Sequence, residues 1–190
     1  NQLLSQLPIS LLQPSFDHSS KAKALQYAIA NMARDYDYVV ILDADNIVNA
    51  DFLRAVNNEM FRGHKVLQCH RCAKNSDSSI SVLDGVSEEI NNTIFRRAHN
   101  AIGLSSALIG SGMCFDYQWF ASHVNKLSTA GEDRELEAML LRERVFISYA
   151  DDILVYDEKV SSEDNFQRQR QRWMSAQIRS LIDMLPHLPN

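Results

Sequence analysis

Tyr38-Val39-Val40-Ile41-Leu42-Asp43-Ala44-Asp45 is a short, β-branched, apolar run that ends in two carboxylates one residue apart. A run of this kind reads as a buried strand. Asp-x-Asp at its carboxyl end offers hard oxygen ligands at the edge of an α/β sheet, where such folds bind ligands. In extended backbone residues i and i+2 share a face, so Asp43 and Asp45 address one ion if strand geometry persists past Leu42. An acidic turn that caps the strand, followed by Asn46 and a helix from about Asp51, is the competing reading of the same residues.

Working outward, Ile9-Ser10-Leu11-Leu12 reads as a short strand. Ser19 or Ser20 then caps a helix carrying Ala24, Leu25, Ala28, Ile29 and Met32 at helical spacing. Downstream, Asp51 to Phe61 reads as a helix closed by Gly63, and Lys65 to Arg71 as a strand. Val82, Val86, Ile90, Ile94 and Ala98 recur every fourth position beside Leu83 and Phe95, which predicts one long amphipathic helix over Ser79 to Asn100. Leu108 to Phe115 passes from Gly110-Ser111-Gly112 into a strand, and the glycines let the backbone approach a ligand or another strand closely. Gly131-Glu132-Asp133-Arg134-Glu135-Leu136 opens a helix that continues through Met139 and Leu140. Strands over Val145 to Tyr149 and Ile153 to Tyr156 follow, and Glu163 to Leu185 reads as a final helix. This alternation predicts an α/β layer fold with a mainly parallel sheet flanked by helices. Without repeats, low-complexity tracts or an internal linker, residues 1–190 read as one domain.

The composition suits a globular domain with a real core: 190 residues, 45% hydrophobic and 23% charged. A net charge of -5 argues against nucleic acid as a partner, although Arg168, Arg170, Arg172 and Arg179 form a basic cluster near the end. Three cysteines, Cys69, Cys72 and Cys114, are too few for a disulfide framework and suit a reducing compartment. Cys69 and Cys72 form C-x-x-C, but within a strand residues three apart face opposite sides, and no second ligand pair follows. No run of eighteen apolar residues exists. The start lacks an initiator Met, and the end is apolar-rich between Ile178 and Leu188, so the chain reads as a piece of a longer polypeptide.

Four separated features call for one explanation: Lys21, Asp43 with Asp45, Glu132 with Asp133, and Gln169-Arg170-Gln171-Arg172-Trp173. In order and spacing they resemble the inverting glycosyltransferases of family 2, the GT-A fold group that includes cellulose, chitin, hyaluronan and poly-N-acetylglucosamine synthases. The resemblance implies a Rossmann-like GT-A sheet and transfer of a sugar from a nucleotide-diphosphate donor, a UDP-sugar, to a glycan or lipid-linked acceptor. It implies Mg2+ or Mn2+ held by Asp45 with Asp43, and Lys21, Gln169 and Arg172 at the nucleotide diphosphate. Gly110, Ser111, Gly112 and Trp173 then border the acceptor, and Asp133 beside Glu132 is the catalytic base. The chemistry agrees, since a leaving diphosphate requires charge stabilisation and an attacking hydroxyl requires a base. The resemblance also implies polysaccharide biosynthesis by a parent protein anchored in a membrane outside this segment, with the domain on the cytoplasmic face.

Each feature has a plainer use. Acidic residues in a first helical turn gain about 0.3 to 1 kcal/mol from the macrodipole. A tryptophan on a helix ordinarily packs in a core, and arginines or a lysine near a helix start face water. The sequence departs from the family where only twenty residues precede Lys21, too few for the strands and uridine-contacting aspartate found there, and where Ser20 replaces a glycine. The nucleotide-base half of the site is therefore expected to be missing, with weak donor binding by this piece. Two other functions compete. A haloacid-dehalogenase-like phosphatase would use Asp43 and Asp45, with Asp151-Asp152 as its later magnesium pair. A non-catalytic binding or assembly module needs none of them.

Overall fold

A computed structural model describes residues 9–129 and 131–163 and, beyond these, residues 166, 167, 169–171, 174, 175, 178 and 182. Helix α1 spans Lys21–Ala30, and Ser20 caps it by accepting the Lys23 N–H at 3.2 Å. Strand β1 covers Tyr38–Ile41, β2 Ile47–Val48 and helix α2 Phe52–Phe61. Strand β3 is Val66–Ala73, and helix α3, Ser79–Asn92, continues through a wider π turn, Thr93–Ala98, into α4, His99–Ala101. Strand β4 (Met113–Asp116), helix α5 (Tyr117–His123), helix α6 (Glu132–Arg142) and strand β5 (Ile147–Asp157) complete the named elements. Residues 9–12 do not form the expected strand. Among the described residues no helix is long and apolar enough to cross a membrane.

The sheet runs in the order β1-β4-β3-β5-β2. Its one parallel pair is β3 with β5, while β1/β4, β3/β4 and β2/β5 are antiparallel, so the α/β expectation holds but the sheet is mixed rather than mainly parallel. The cause is largely β4: it enters between β1 and β3 and runs opposite to both, after a connection, residues 74–112, long enough to bring the chain back in either direction. Where two strands were expected after α6, β5 is continuous. Its register against β3 shifts between Cys69 and His70, with Ala150 opposite the first and Leu154 opposite the second. Asp151, Asp152 and Ile153 are thus the bulge that resembled a break.

Side-chain alternation gives the sheet two buried faces. Ile41, Val66, Met113, Phe115 and Ile147 point to a core shared with α1, α5 and α6. Leu67, Cys69, Cys114 and Val155 point to the core under α2, with Phe52, Val56 and Met60.

Strands β1 and β2 lie at opposite edges, yet only Leu42 to Asn46 separates them in sequence. Four strand spacings across a flat sheet come to roughly 19 Å. Six fully extended steps reach about 20 Å, but Asn46 N–H closes a turn on Asp43 O at 3.1 Å and shortens that reach. The sheet must therefore curl until its two edges meet at the Asp43–Asn46 turn.

Candidate active site

The acidic pair lies in that turn. Strand β1 ends at Ile41, so the extended geometry that would set Asp43 and Asp45 on one face does not persist. Asp43 is half-buried: its N–H donates to Asn46 Oδ1 at 2.9 Å and Ser111 Oγ at 3.2 Å, and its carboxylate pairs with Lys21 Nζ. Asp45 is exposed, and its carbonyl accepts Lys74 Nζ at 3.3 Å.

Lys21, in the first turn of α1, gathers the site. Its ammonium meets Asp43, donates to Gly110 O at 2.5 Å and lies 3.6 Å from Glu132 Oε1. Gly110 has φ +74, a left-handed conformation suited to glycine, and a Cβ built there would sit 3.8 Å from both Glu132 Oε1 and Asp133 Oδ2. Lys21, Asp43, Gly110, Glu132 and Asp133, far apart in sequence, therefore surround one small volume. Asp133 Oδ1 accepts the Arg134 N–H at 2.8 Å, which leaves Oδ2 turned toward the glycine. Glu132 is buried, and burial raises its pKa, with Asp133 and Asp43 adding repulsion against its own backbone N–H and Lys21.

The Ile109–Gly112 loop between β3 and β1 is held by a residue the sequence reading passed over. Gln68 is fully buried in β3: its Oε1 accepts the Ile109 N–H at 3.0 Å, and its Nε2 donates to Ser111 O at 2.9 Å. Gly112, φ +66, donates to Ile41 O at 2.9 Å and accepts the Cys69 N–H at 2.7 Å. The signal for Gln68 was a single amide inside an apolar strand, which must find partners to be buried. Glu137 also supports the loop, accepting the Leu108 N–H at 2.9 Å.

Behind the turn lies a buried cluster of opposed charges. Arg71 Nε donates to Glu88 Oε1 at 2.6 Å, Lys159 pairs with Glu88 and lies 2.9 Å from Asp157 Oδ2, and Arg71 is 3.7 Å from the same oxygen. Asn46 Nδ2 donates to Asp157 Oδ1 at 2.9 Å, and Arg71 reaches Ile109 O at 3.3 Å.

Of the terminal motif, Gln169 is helical, its Oε1 buried without a hydrogen-bond partner among the described residues. Arg172 and Trp173 lie outside the described residues, as do Arg168 and Arg179. Arg170 donates to Asp84 Oδ1 at 3.0 Å and Ser87 Oγ at 3.3 Å on α3 and covers the Phe166 ring. Asp151, assigned to magnesium in the phosphatase reading, is occupied by Arg97 at 2.6 Å and by His70. All three cysteines are free thiols. Burial pushes Cys72 up to about 11 and Cys114 up to about 12, which keeps both as thiols at neutral pH.

Among the described residues no group of three or more His, Cys, Asp or Glu side chains is placed to hold a metal ion, so a cation at this turn would rely on Asp43 and Asp45 together with water and substrate oxygens. Magnesium-like ions take one or two carboxylates and complete their shell with water and substrate phosphate. Asp43 is paired with Lys21, and Asp45 is the more exposed of the two carboxylates.

The curled mixed sheet with flanking helices matches the GT-A glycosyltransferase fold. The chain belongs to the glycosyl transferase family group 2, whose model matches residues 38–186. Its fold is similar to that of glucosyl-3-phosphoglycerate synthase from Mycobacterium tuberculosis, solved in complex with Mn2+ and uridine-diphosphate-glucose, with a TM-score of 0.52 at 16% identity. The match covers 94% of this chain and 57% of that one, so the chain spans little more than half the length of the solved enzyme. No curated protein sequence matches the chain.

Proposed function

We propose that this chain carries the donor-metal and catalytic-base part of an inverting transferase. The enzyme would move a sugar from a nucleotide-diphosphate donor, a UDP-sugar, to a hydroxyl of a glycan or lipid-linked acceptor. The observation that carries the reading is the convergence of Lys21, Asp43, Gly110, Glu132 and Asp133 on one volume. Support comes from the Mn2+ and UDP-glucose held by the solved enzyme of similar fold. The family's synthases of polysaccharides extend the reading to a membrane-anchored parent acting at the cytoplasmic face.

In this reading Asp45, aided by Asp43, holds Mg2+ or Mn2+, which when bound neutralises the leaving diphosphate. Lys21 adds a positive charge beside Asp43, and by the family resemblance alone Gln169 and Arg172 contact the diphosphate. Gly110, without a side chain and facing Glu132 and Asp133, leaves room for the acceptor hydroxyl, while Ser111 and Gly112 are buried behind it and support the loop; Trp173 is assigned to the acceptor by the family resemblance alone. Asp133 Oδ2 faces that space and takes the hydroxyl proton as the new bond forms at the anomeric carbon. Glu132, buried between Lys21 and Asp133, tunes the local charge.

Asp45→Ala and Asp133→Asn are expected to abolish sugar transfer by the full polypeptide while leaving the fold intact, read by donor turnover beside circular dichroism. Near-normal turnover by Asp133→Asn rules out the base assignment. Release of phosphate from a generic phosphomonoester, lost in Asp43→Asn, would instead favour the phosphatase.

A further inference from the structure

We infer that Asn46 is a positioning residue: it fixes the Asp43–Asp45 turn for cation binding by tying it to the buried Arg71, Glu88, Asp157 and Lys159 charges. The inference rests on the proposed metal role of Asp43 and Asp45. Asn46 lies where the two edges of the curled sheet meet, and its side chain uses both ends of the amide. Oδ1 accepts the Asp43 N–H at 2.9 Å and the Ser111 hydroxyl, and Nδ2 donates to Asp157 Oδ1 at 2.9 Å. A carboxylate only accepts and a backbone N–H only donates, so these partners allow one orientation of the amide.

Asp157 is not free to move with the turn. Its second oxygen meets Lys159 at 2.9 Å and Arg71 at 3.7 Å, and both cations share Glu88 on α3. Arg71 and Lys159 are each less than 10% exposed, as is Glu88. Displacing any member leaves a buried charge without its partner, so the cluster is stiff. Arg71 also donates to Ile109 O, the residue before Gly110. One rigid group thus braces the cation turn through Asn46 and the acceptor-side loop through Arg71, and so sets their separation. Among the described residues Asn46 is the single side chain that connects Asp157 directly to the Asp43 N–H. Ligand-orienting groups of this type are typically worth about 10- to 100-fold in metal affinity.

The test compares Asn46→Ala, Asn46→Asp and the exchange Asn46→Asp with Asp157→Asn, using Mn2+ alone as the probe. In the exchange the carboxylate at 46 accepts from Asp43 N–H and Ser111, and the amide at 157 donates to it while its oxygen still faces Lys159. Expected are a rise of at least about tenfold in the Mn2+ dissociation constant for each single substitution, from spin-resonance titration, and faster exchange of the Asp43 amide in metal-free protein. The melting temperature of Asn46→Ala stays near the parent's, and the exchanged pair recovers most of the losses in affinity and protection. Unchanged Mn2+ affinity in Asn46→Ala, or an exchanged pair no better than Asn46→Asp, overturns the inference while leaving the transferase reading in place. A parent chain that binds no Mn2+ overturns both, and intact Asp43 protection in that case identifies the metal assignment, not the turn, as the error.

Discussion

Glu132 is under two opposing influences. Burial and the neighbouring carboxylates favour its neutral form, while Lys21 at 3.6 Å favours its charge. The first prevails and its pKa is raised. Because the folded state holds this proton more tightly than the unfolded chain, the carboxyl contributes stability at low pH. That contribution is lost as pH rises from about 4.5, its ordinary value, through the raised folded value. Glu132→Gln removes the titration. The substituted protein is therefore expected to gain stability relative to the parent as pH rises from about 4.5 towards neutrality, measured by urea midpoints across that range. A parallel pair of curves would show that the charge of Glu132 is fully compensated by Lys21.

Helix α3 shows how an element can be found by its period and still be faced the wrong way. The fourfold spacing of Val82, Val86, Ile90 and Ile94 marked the helix, and residues Ser79 to Ala101 are continuously helical. Yet Val86 and Ile90 are 51% and 53% exposed, while Glu88 is 6% exposed and Ser81, Asn92 and Arg96 are buried with it. The polar stripe packs on β3, where Gly85 lets the helix come within 3.0 Å of Ala73 for a built Cβ, and where Arg71 and Lys159 supply countercharges. Periodicity gives the stripe; which stripe turns inward depends on partners 17 and 71 residues away, which no local pattern contains. The same limit governed the site. Asp43 stands out at a strand end and Gly110 at a glycine turn, Lys21, Glu132 and Asp133 stand out through their resemblance to the family's motifs, and these five are the ones the structure brings together. Asn46 and Gln68 were missed because their meaning lies in long-range hydrogen bonds. Val86→Lys with Ile90→Lys is expected to change stability by no more than about 0.5 kcal/mol, whereas Glu88→Ala costs about 3 to 5 kcal/mol. Urea denaturation decides, and a large loss from the lysine pair would mean that the apolar stripe is the one buried.

At the scale of the molecule, closure of the sheet and construction of the site are the same event. The chain leaves one edge at Ile41 and joins the other at Ile47, and the residues in between are the acidic turn. The two cores lie on the faces of the sheet and draw mainly on other elements, so stability should depend little on the length of this connection. Doubling a flexible loop adds only about 0.6 kcal/mol of closure entropy. Geometry is less forgiving, because two extra residues free the turn from the register that aims Asp43 at Lys21 and Asn46 at Asp157. Inserting Gly-Gly between Asn46 and Ile47 is therefore expected to shift the unfolding free energy by less than about 1 kcal/mol while removing measurable Mn2+ binding. If both properties fall together, the turn is a structural clasp whose loss opens the sheet. If Mn2+ binding survives, the short connection between the edges is not what orients the carboxylates.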